Sequence, residues 1–288
     1  MTLDPPIRHL RAPNPSPLTG SGTNTWLVGG SELAVIDPGP DDAGHLAAVL
    51  QAVGAGQKIS HILVTHAHLD HSALAPRLAM LTGAPVLAFG TALDGRSPLM
   101  TGLAPRLPAN GEGLDLDFAP DLHLGDGETV AGPDWGLTAL HTPGHLGSHL
   151  CLAQGGTLFS GDHVMGWSTT IVSPPDGDMA AYMASLDRLA GQEWVRFLPG
   201  HGEPVTRPAE RLAELVVHRR TREAQILSAL AEGLTDLSGL TERVYRETPR
   251  HLLPAAERNV LAHLIDLASR NLVSASPELH PDARFQSL

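Results

Sequence analysis

Ile62-Leu63-Val64-Thr65-His66-Ala67-His68-Leu69-Asp70-His71 is the stretch from which the rest of the chain is read. Its first three residues close an apolar run, Ile59–Thr65, that reads as a buried strand. The run ends, and four potential metal ligands arrive within six residues. His66 and His68 stand two apart in extended chain, so both can point to one side. Asp70 and His71 fall where the chain turns into a helix and can face a second position nearby. Imidazole and carboxylate together suit Zn²⁺, Fe or Mn²⁺. A single histidine is most often a surface or packing residue; four potential ligands in H-x-H-x-D-H are seldom placed for any other reason.

The pattern recurs downstream. Leu137–His141 is a strand, and a Pro-Gly turn presents His145. Thr157–Ser160 is a strand, and Gly161 leads to Asp162. Val195–Leu198 is a strand, and Pro199-Gly200 leads to His201. Each strand ends in a turn that offers one ligand, and ligands at neighbouring strand ends converge at a sheet edge. The other eleven of the sixteen histidines are read as ordinary surface or core residues.

Further strands are expected at Thr25–Val28, Leu33–Ile36, Pro85–Ala88 and Leu150–Ala153, and helices at Asp42–Val53, Ser72–Leu81 and Met179–Leu189. This mixture points to an α/β fold. Thr91 to Gly113, rich in Gly and Pro, reads as a long loop or insertion. From Pro208 the pattern becomes amphipathic and helical, to about Glu232, then over Leu237–Glu247 and Pro254–Arg270. Leu261, Leu264, Ile265 and Ala268 mark one apolar face. A short strand, Leu272–Ala275, follows. The expected division is 1–206 and 207–288, the second part small, mostly helical and winged-helix-like.

The net charge of −12 is uneven: residues 1–208 hold nine of the nineteen basic residues and twenty of the thirty-one acidic ones. An acidic body gives no electrostatic help to broad polyanion binding, so duplex DNA is not an expected partner. No run reaches the roughly 18 apolar residues of a membrane helix. The start, Met-Thr-Leu-Asp-Pro-Pro, lacks a secretory signal, and a cytoplasmic location is expected. The single cysteine, Cys151, excludes an internal disulfide and a cysteine-based metal site.

In order and spacing, His66-Ala-His68-Leu-Asp70-His71, His145, Asp162 and His201 resemble the ligand series of the metallo-β-lactamase superfamily. The Asp37-Pro-Gly turn resembles the family's aspartate behind the metal site. The resemblance implies an αββα sandwich with the site at one edge. It implies that His66, His68 and His145 bind one metal and Asp70, His71 and His201 a second, with Asp162 bridging. Two Zn²⁺ are expected; Fe and Mn²⁺ fit the same donors. Two dications about 3.5 Å apart can deliver a bridging hydroxide to a carbonyl carbon or a phosphorus. Asp70 and Asp162 would then be the catalytic carboxylates, and Asp37 would orient a ligand from behind. His149, Thr169 and Thr170 are candidate substrate contacts; a strand histidine and plain loop residues are equally good readings of them.

The family's best-known antibiotic hydrolases carry cysteine where this chain has Asp162, so the sequence is closer to dinuclear hydrolases such as glyoxalase II. Gly22–Gly29, His145–His149, His218–Ile226 and the stretch from Val244 through Thr248-Pro249 to Leu264 resemble the β-lactamase-like protein two subgroup. That subgroup appends a winged-helix-like domain, and its members are linked to single-stranded RNA cleavage or to thioester release from polyketide carriers. The expected substrate is therefore an ester or thioester, or a phosphodiester in single-stranded RNA. A small-molecule thioesterase of the glyoxalase II type is the main alternative. A mononuclear iron oxygenase, as in the persulfide dioxygenases, ranks below it because all seven ligands are present. A non-enzymatic winged-helix regulator is the third class. Arg219, Arg220, Arg222, Arg258 and Arg270 would touch phosphates if the C-terminal domain bound nucleic acid, but its near-neutral charge favours a role as a wall of the pocket. The resemblance also allows a homodimer.

Overall fold

The structure is a computed structural model that describes residues 5–108, 113–233 and 235–288. Residues 1–4, in the stretch read for a secretory signal, and residues 109–112 of the expected Thr91–Gly113 loop lie outside the described residues. One sheet holds six strands in sequence order: β1 (Ile7–Arg11), β2 (Asn24–Val28), β3 (Glu32–Ile36), β4 (Lys58–Leu63), β5 (Val86–Ala88) and β6 (Leu122–His123). β1 to β3 pair antiparallel; β3 to β6 pair parallel. The other sheet holds β7 (Thr129–Ala131), β8 (Gly136–His141), β9 (Leu150–Gln154), β10 (Thr157–Gly161) and β11 (Arg196–Pro199), ordered β11-β10-β9-β8-β7.

Side-chain alternation explains why these strands read as unbroken apolar runs. Ala34 and Ile36 of β3 face Leu150, Leu152, Phe159 and Leu198 of the opposite sheet. Leu33 and Val35, one step out of phase, face helices α1 (Ala43–Gln51) and α3 (Ala75–Thr82) through Leu46, Val49 and Leu78. On the other sheet Cys151, Leu158 and Phe197 face away from the strands opposite. They meet Tyr182, Leu186 and Leu189 of α5 (Met179–Ala190) and Leu212 and Leu215 of α6 (Pro208–Ala231). Strands buried on both faces have no polar phase. The result is four layers, α1/α3, sheet, sheet, α5/α6, which is the expected αββα sandwich.

The expected helix Ser72–Leu81 is α3, which starts only at Ala75-Pro76 with proline in its first turn; a separate single turn, α2 (Leu69–Ser72), precedes it. Strands β1, β6 and β7 have no counterpart among the expected strands: each lies at or near a sheet edge, is at most half-buried, and so lacks an apolar run. The Thr91–Gly113 stretch is not only loop. It contains α4 (Pro98–Leu103), capped by Ser97 Oγ, which accepts from Met100 N–H. Six residues are too few to show a helical period.

Beyond α6 lie α7 (Leu237–Val244), α8 (Leu253–Ser269) and the antiparallel pair β12 (Val273–Ser276) and β13 (Arg284–Ser287). Their core takes Ile226 and Leu230 from α6, Leu240, Leu264 and Phe285, and also Met100 and Leu103 from α4. α6 therefore serves two cores, its first turns closing the sandwich and its last turns building the C-terminal core. Among the described residues no helix is long and apolar enough to cross a membrane.

His263 of α8 sits inside this packing with neither ring nitrogen hydrogen-bonded. Burial, then the nearby Arg219 guanidinium, push its pKa from 6.5 down to about 3. The folded state keeps the ring neutral while an unfolded chain protonates near 6.5, so the associated stability is complete above that pH and drains as pH falls toward 3. Between pH 6.5 and 5 the loss from this one group is about 2 kcal/mol. His263→Leu should lose less stability than wild type over that interval in urea titrations at the two pH values. Equal losses would show that His263 is not the group responsible.

Candidate metal centre

The expected ligands gather where strands of both sheets end. β4 stops at Leu63, and Thr65 to His71 wrap around the carboxylate of Asp37, which follows β3. Asp37 Oδ1 accepts from Thr65 N–H at 2.7 Å, and Oδ2 accepts from Thr65 Oγ1 at 2.8 Å. Oδ2 also lies 3.0 Å from His71 Nδ1. Asp37 holds a left-handed backbone, φ 50°, a conformation that Asp tolerates better than most side chains. His68 starts α2 in an extended conformation, and Asp70 and His71 occupy its first turn.

The other expected ligands come from the second sheet. His145 follows β8, Asp162 follows β10, and His201 follows β11. Two glycines are required by space. A Cβ on Gly161 would lie 2.6 Å from His149 Nε2, and one on Gly200 would lie 2.5 Å from Asp162 Oδ1 and 2.6 Å from His71 Cε1.

Three ring nitrogens converge first: His66 Nε2 is 3.0 Å and His145 Nε2 3.1 Å from His68 Nδ1. Nearby, His71 Nε2 and His201 Nε2 are 3.3 Å apart. Asp70 Oδ2 lies 3.2 Å from His201 Nε2 and 3.4 Å from His71 Nε2. Asp162 stands between the groups, with Oδ2 3.3 Å from His201 Nε2 and 3.7 Å from His145 Nε2, and Oδ1 3.5 Å from His71 Nε2.

The protons on these rings follow from what lies behind them. His145 Nδ1 meets Ile171 O at 2.8 Å, and His201 Nδ1 meets Gly22 O at 3.3 Å. A carbonyl only accepts, so both Nδ1 atoms carry hydrogen. The Asp37 carboxylate demands the same of His71 Nδ1. In the neutral rings the Nε2 lone pairs then face one another and the carboxylates, while Asp162 Oδ1 is buried without a hydrogen-bond partner. Converging lone pairs and an unmatched carboxylate oxygen repel unless a cation lies among them, so the donors fit a metal. Nitrogen and oxygen donors without thiolate suit a divalent transition ion.

Electrostatics divide the rings into two kinds. Burial, with neighbouring imidazoles adding to it, holds His66 well below the usual range and His68 at about 3; burial also lowers His145. These rings stay neutral and ready to donate. Burial opposes charge on His201 and His71 as well, but Asp162 and Asp70 outweigh it; His201 rises to about 9 and His71 is raised too. Burial likewise works against ionised Asp70 and Asp162, and His71 and His201 overcome it, holding both below the carboxylate range.

All seven expected ligands thus come together, with Asp37 behind them. His68, Asp70, His145, Asp162 and His201 open into a cavity of about 540 Å³. Thr169 and Thr170 line it too, and Thr170 Oγ1 lies 3.1 Å from His145 Nδ1. His149 does not line it. That ring is buried behind Asp162, where Nε2 accepts from Asp162 N–H at 3.2 Å, so it supports the ligand loop instead of facing the cavity. Spacing alone does not show which way its strand faces. Thr23, whose Oγ1 donates to Asp70 Oδ2 at 3.0 Å, is absent from the expected site; a lone threonine gives no signal until the fold closes. His163 and Cys151 are buried in the core, and burial pushes the Cys151 thiol up to about 12.

The C-terminal part closes the cavity with Tyr245, Thr248, Leu252, Ala255, Ala256 and Asn259 among its walls. The arginines considered for phosphate contact are differently placed. Arg219 is buried, Arg270 pairs with Glu223 and Asp266, and Arg222 lies over the Tyr245 ring and donates to Val244 O.

The model of the metallo-beta-lactamase superfamily matches residues 18–201, and that of the beta-lactamase associated winged helix domain matches residues 237–283. A beta-lactamase-like protein 2 homolog of Drosophila melanogaster is 34% identical over 277 residues, 91% of this chain and 88% of that protein. An atrochrysone carboxyl ACP thioesterase of Aspergillus chevalieri is 32% identical over 234 residues, 80% of this chain and 67% of that protein. A solved metallo-beta-lactamase family protein from Thermus thermophilus has the same fold, with a TM-score of 0.77 at 23% identity over 98% of each chain. The chain belongs to the metallo-β-lactamase superfamily and carries a C-terminal winged helix domain.

Asp37→Ala removes the acceptor that fixes Thr65 and aims His71. Metal affinity should fall by about 10- to 100-fold, read by competition with a chromophoric chelator. Wild-type affinity in the folded variant would show that the ligand loop is held by other means.

Proposed function

We propose that this superfamily hydrolase is a dinuclear zinc enzyme that cleaves an ester or thioester bearing an apolar acyl group. The observation that carries the reading is the position of the ligand groups: five of the seven, His68, Asp70, His145, Asp162 and His201, line one cavity whose exposed wall surface is mostly apolar, with Arg258 and Asp176 among its polar residues. His66, His68 and His145 would hold one ion, Asp70, His71 and His201 the other, and Asp162 would serve both. The bound metals would lower the pKa of a water toward neutrality and offset negative charge on the substrate oxygen.

The chain's own residues supply the rest. Thr23 and His201 hold the Asp70 carboxylate in place. Leu18, Leu114, Met165, Trp167, Ile171 and Leu252 present apolar surface to a substrate and keep water from the reacting carbonyl. Three of the five arginines that a nucleic-acid role would need are buried or engaged within the C-terminal part, which supports a small substrate over RNA. The relative named as an acyl-carrier thioesterase supports the same chemistry. The net charge of −12 also disfavours a polyanion.

An acyl-thioester series of increasing chain length tests the reading. Each added methylene buried in the cavity contributes about 0.8 kcal/mol, so kcat/KM should rise about fourfold per carbon until the cavity is filled. Cleavage of end-labelled single-stranded RNA without turnover of any thioester would overturn it in favour of a nuclease. His68→Ala and Asp162→Ala should each lower turnover about a thousandfold while metal analysis shows fewer than the two zinc ions expected of wild type. Retained turnover in a metal-free preparation would sink the mechanism, and iron content with oxygen consumption would point to an oxygenase.

A further inference from the structure

Arg219 of α6 is one of the largest fully buried side chains, 1% exposed, and among the described residues no carboxylate pairs with it. Its guanidinium lies over the Tyr182 ring, 5.0 Å from the centroid. Nη2 donates to Thr170 O at 2.5 Å, and Nη1 donates to Asn259 Oδ1 at 2.9 Å. Asn259 Oδ1 also accepts from Val172 N–H at 3.1 Å, and its Nδ2 donates to Ala255 O within α8. A buried cation without a counter-charge is expensive, and an apolar residue of similar volume would fill the space at lower cost. What an apolar residue could not do is bind the backbone of residues 170 to 172.

That backbone aims a ligand. Ile171 O, between the two tethered residues, receives the Nδ1 hydrogen of His145, and Thr170 Oγ1 lies beside the same nitrogen. We infer that Arg219, with Asn259, is a positioning residue for His145: it fixes the Ile171 carbonyl, and through it the tautomer and aim of the ring. Helices α6 and α8 on the C-terminal side thereby control the metal position built on His66, His68 and His145. An acceptor behind a metal-bound imidazole sets its orientation and basicity. Here the acceptor is a loop carbonyl, which needs tethers of its own. The inference rests on the metal reading above.

Arg211, eight residues earlier on α6, supplies a control. Its Nε and Nη2 donate to Met165 O and Ser168 O, the start of the same loop, without reaching the partners of His145. The full-length apoprotein and the variants R219Q, N259L and R211Q are titrated with Co²⁺, reading affinity and the visible ligand-field spectrum. Wild type and R211Q should bind two equivalents alike. In R219Q and N259L one equivalent should weaken by about 10- to 100-fold with a shifted spectrum, while the other stays as in wild type. Wild-type binding in folded R219Q and N259L would overturn the inference. So would an equal loss in R211Q, which would reduce Arg219 to general loop packing. If R219Q does not fold, N259L decides. No binding by the wild-type protein would instead overturn the metal reading itself.

Discussion

The carboxylate of Asp37 ties together the parts on which this site depends. It accepts the Thr65 amide and hydroxyl and faces His71 Nδ1. With one side chain the chain fixes the turn that leaves β4, sets the direction of the ligand loop, and leaves His71 Nε2 to point inward. His145 and His201 are aimed the same way, by the carbonyls of Ile171 and Gly22. The constraint is electrostatic. Lone pairs that repel one another must be held convergent before any cation is present, and fixed acceptors on the far side of His71, His145 and His201 do that.

The sandwich makes such acceptors available. The central strands of its two sheets are buried on both faces, and packing on both sides holds their ends in place. Four strand ends, those of β4, β8, β10 and β11, deliver the ligands to one edge. Gly161 and Gly200 let those ends approach more closely than side chains would permit. Packing energy is thus converted into ligand geometry, and the cost of bringing like-charged or lone-pair-bearing groups together is met by the cores on either side.

α6 extends the same logic to the C-terminal part. One helix completes the outer layer of the sandwich, begins the C-terminal core, and sends Arg211 and Arg219 into the loop above the metal site. A winged helix domain attached in this way is a wall of the cavity and a brace for the loop beneath it. Its arginines are largely spent on internal contacts. The net charge of −12 and the apolar part of the cavity wall are what support the proposed small acyl substrate over a polyanion.

The ligand series, the strands that carry it and the helical character of the C-terminal part are all legible in the linear chain. Each of those leaves a local mark: a ligand spacing, an unbroken apolar run, or a period of 3.6. Edge strands β1, β6 and β7 leave none, because half-exposed short segments have no such run. α4 is hidden in a stretch rich in Gly and Pro, since a six-residue helix shows no period and its partners Ile226 and Leu264 lie far along the chain. That His149 supports Asp162 from behind, that Thr23 reaches Asp70, and that Arg219 is buried are settled only once the chain has folded. Each depends on which face of a segment meets which distant neighbour. Periodicity reports that a face is buried; it carries no information about what the face is buried against.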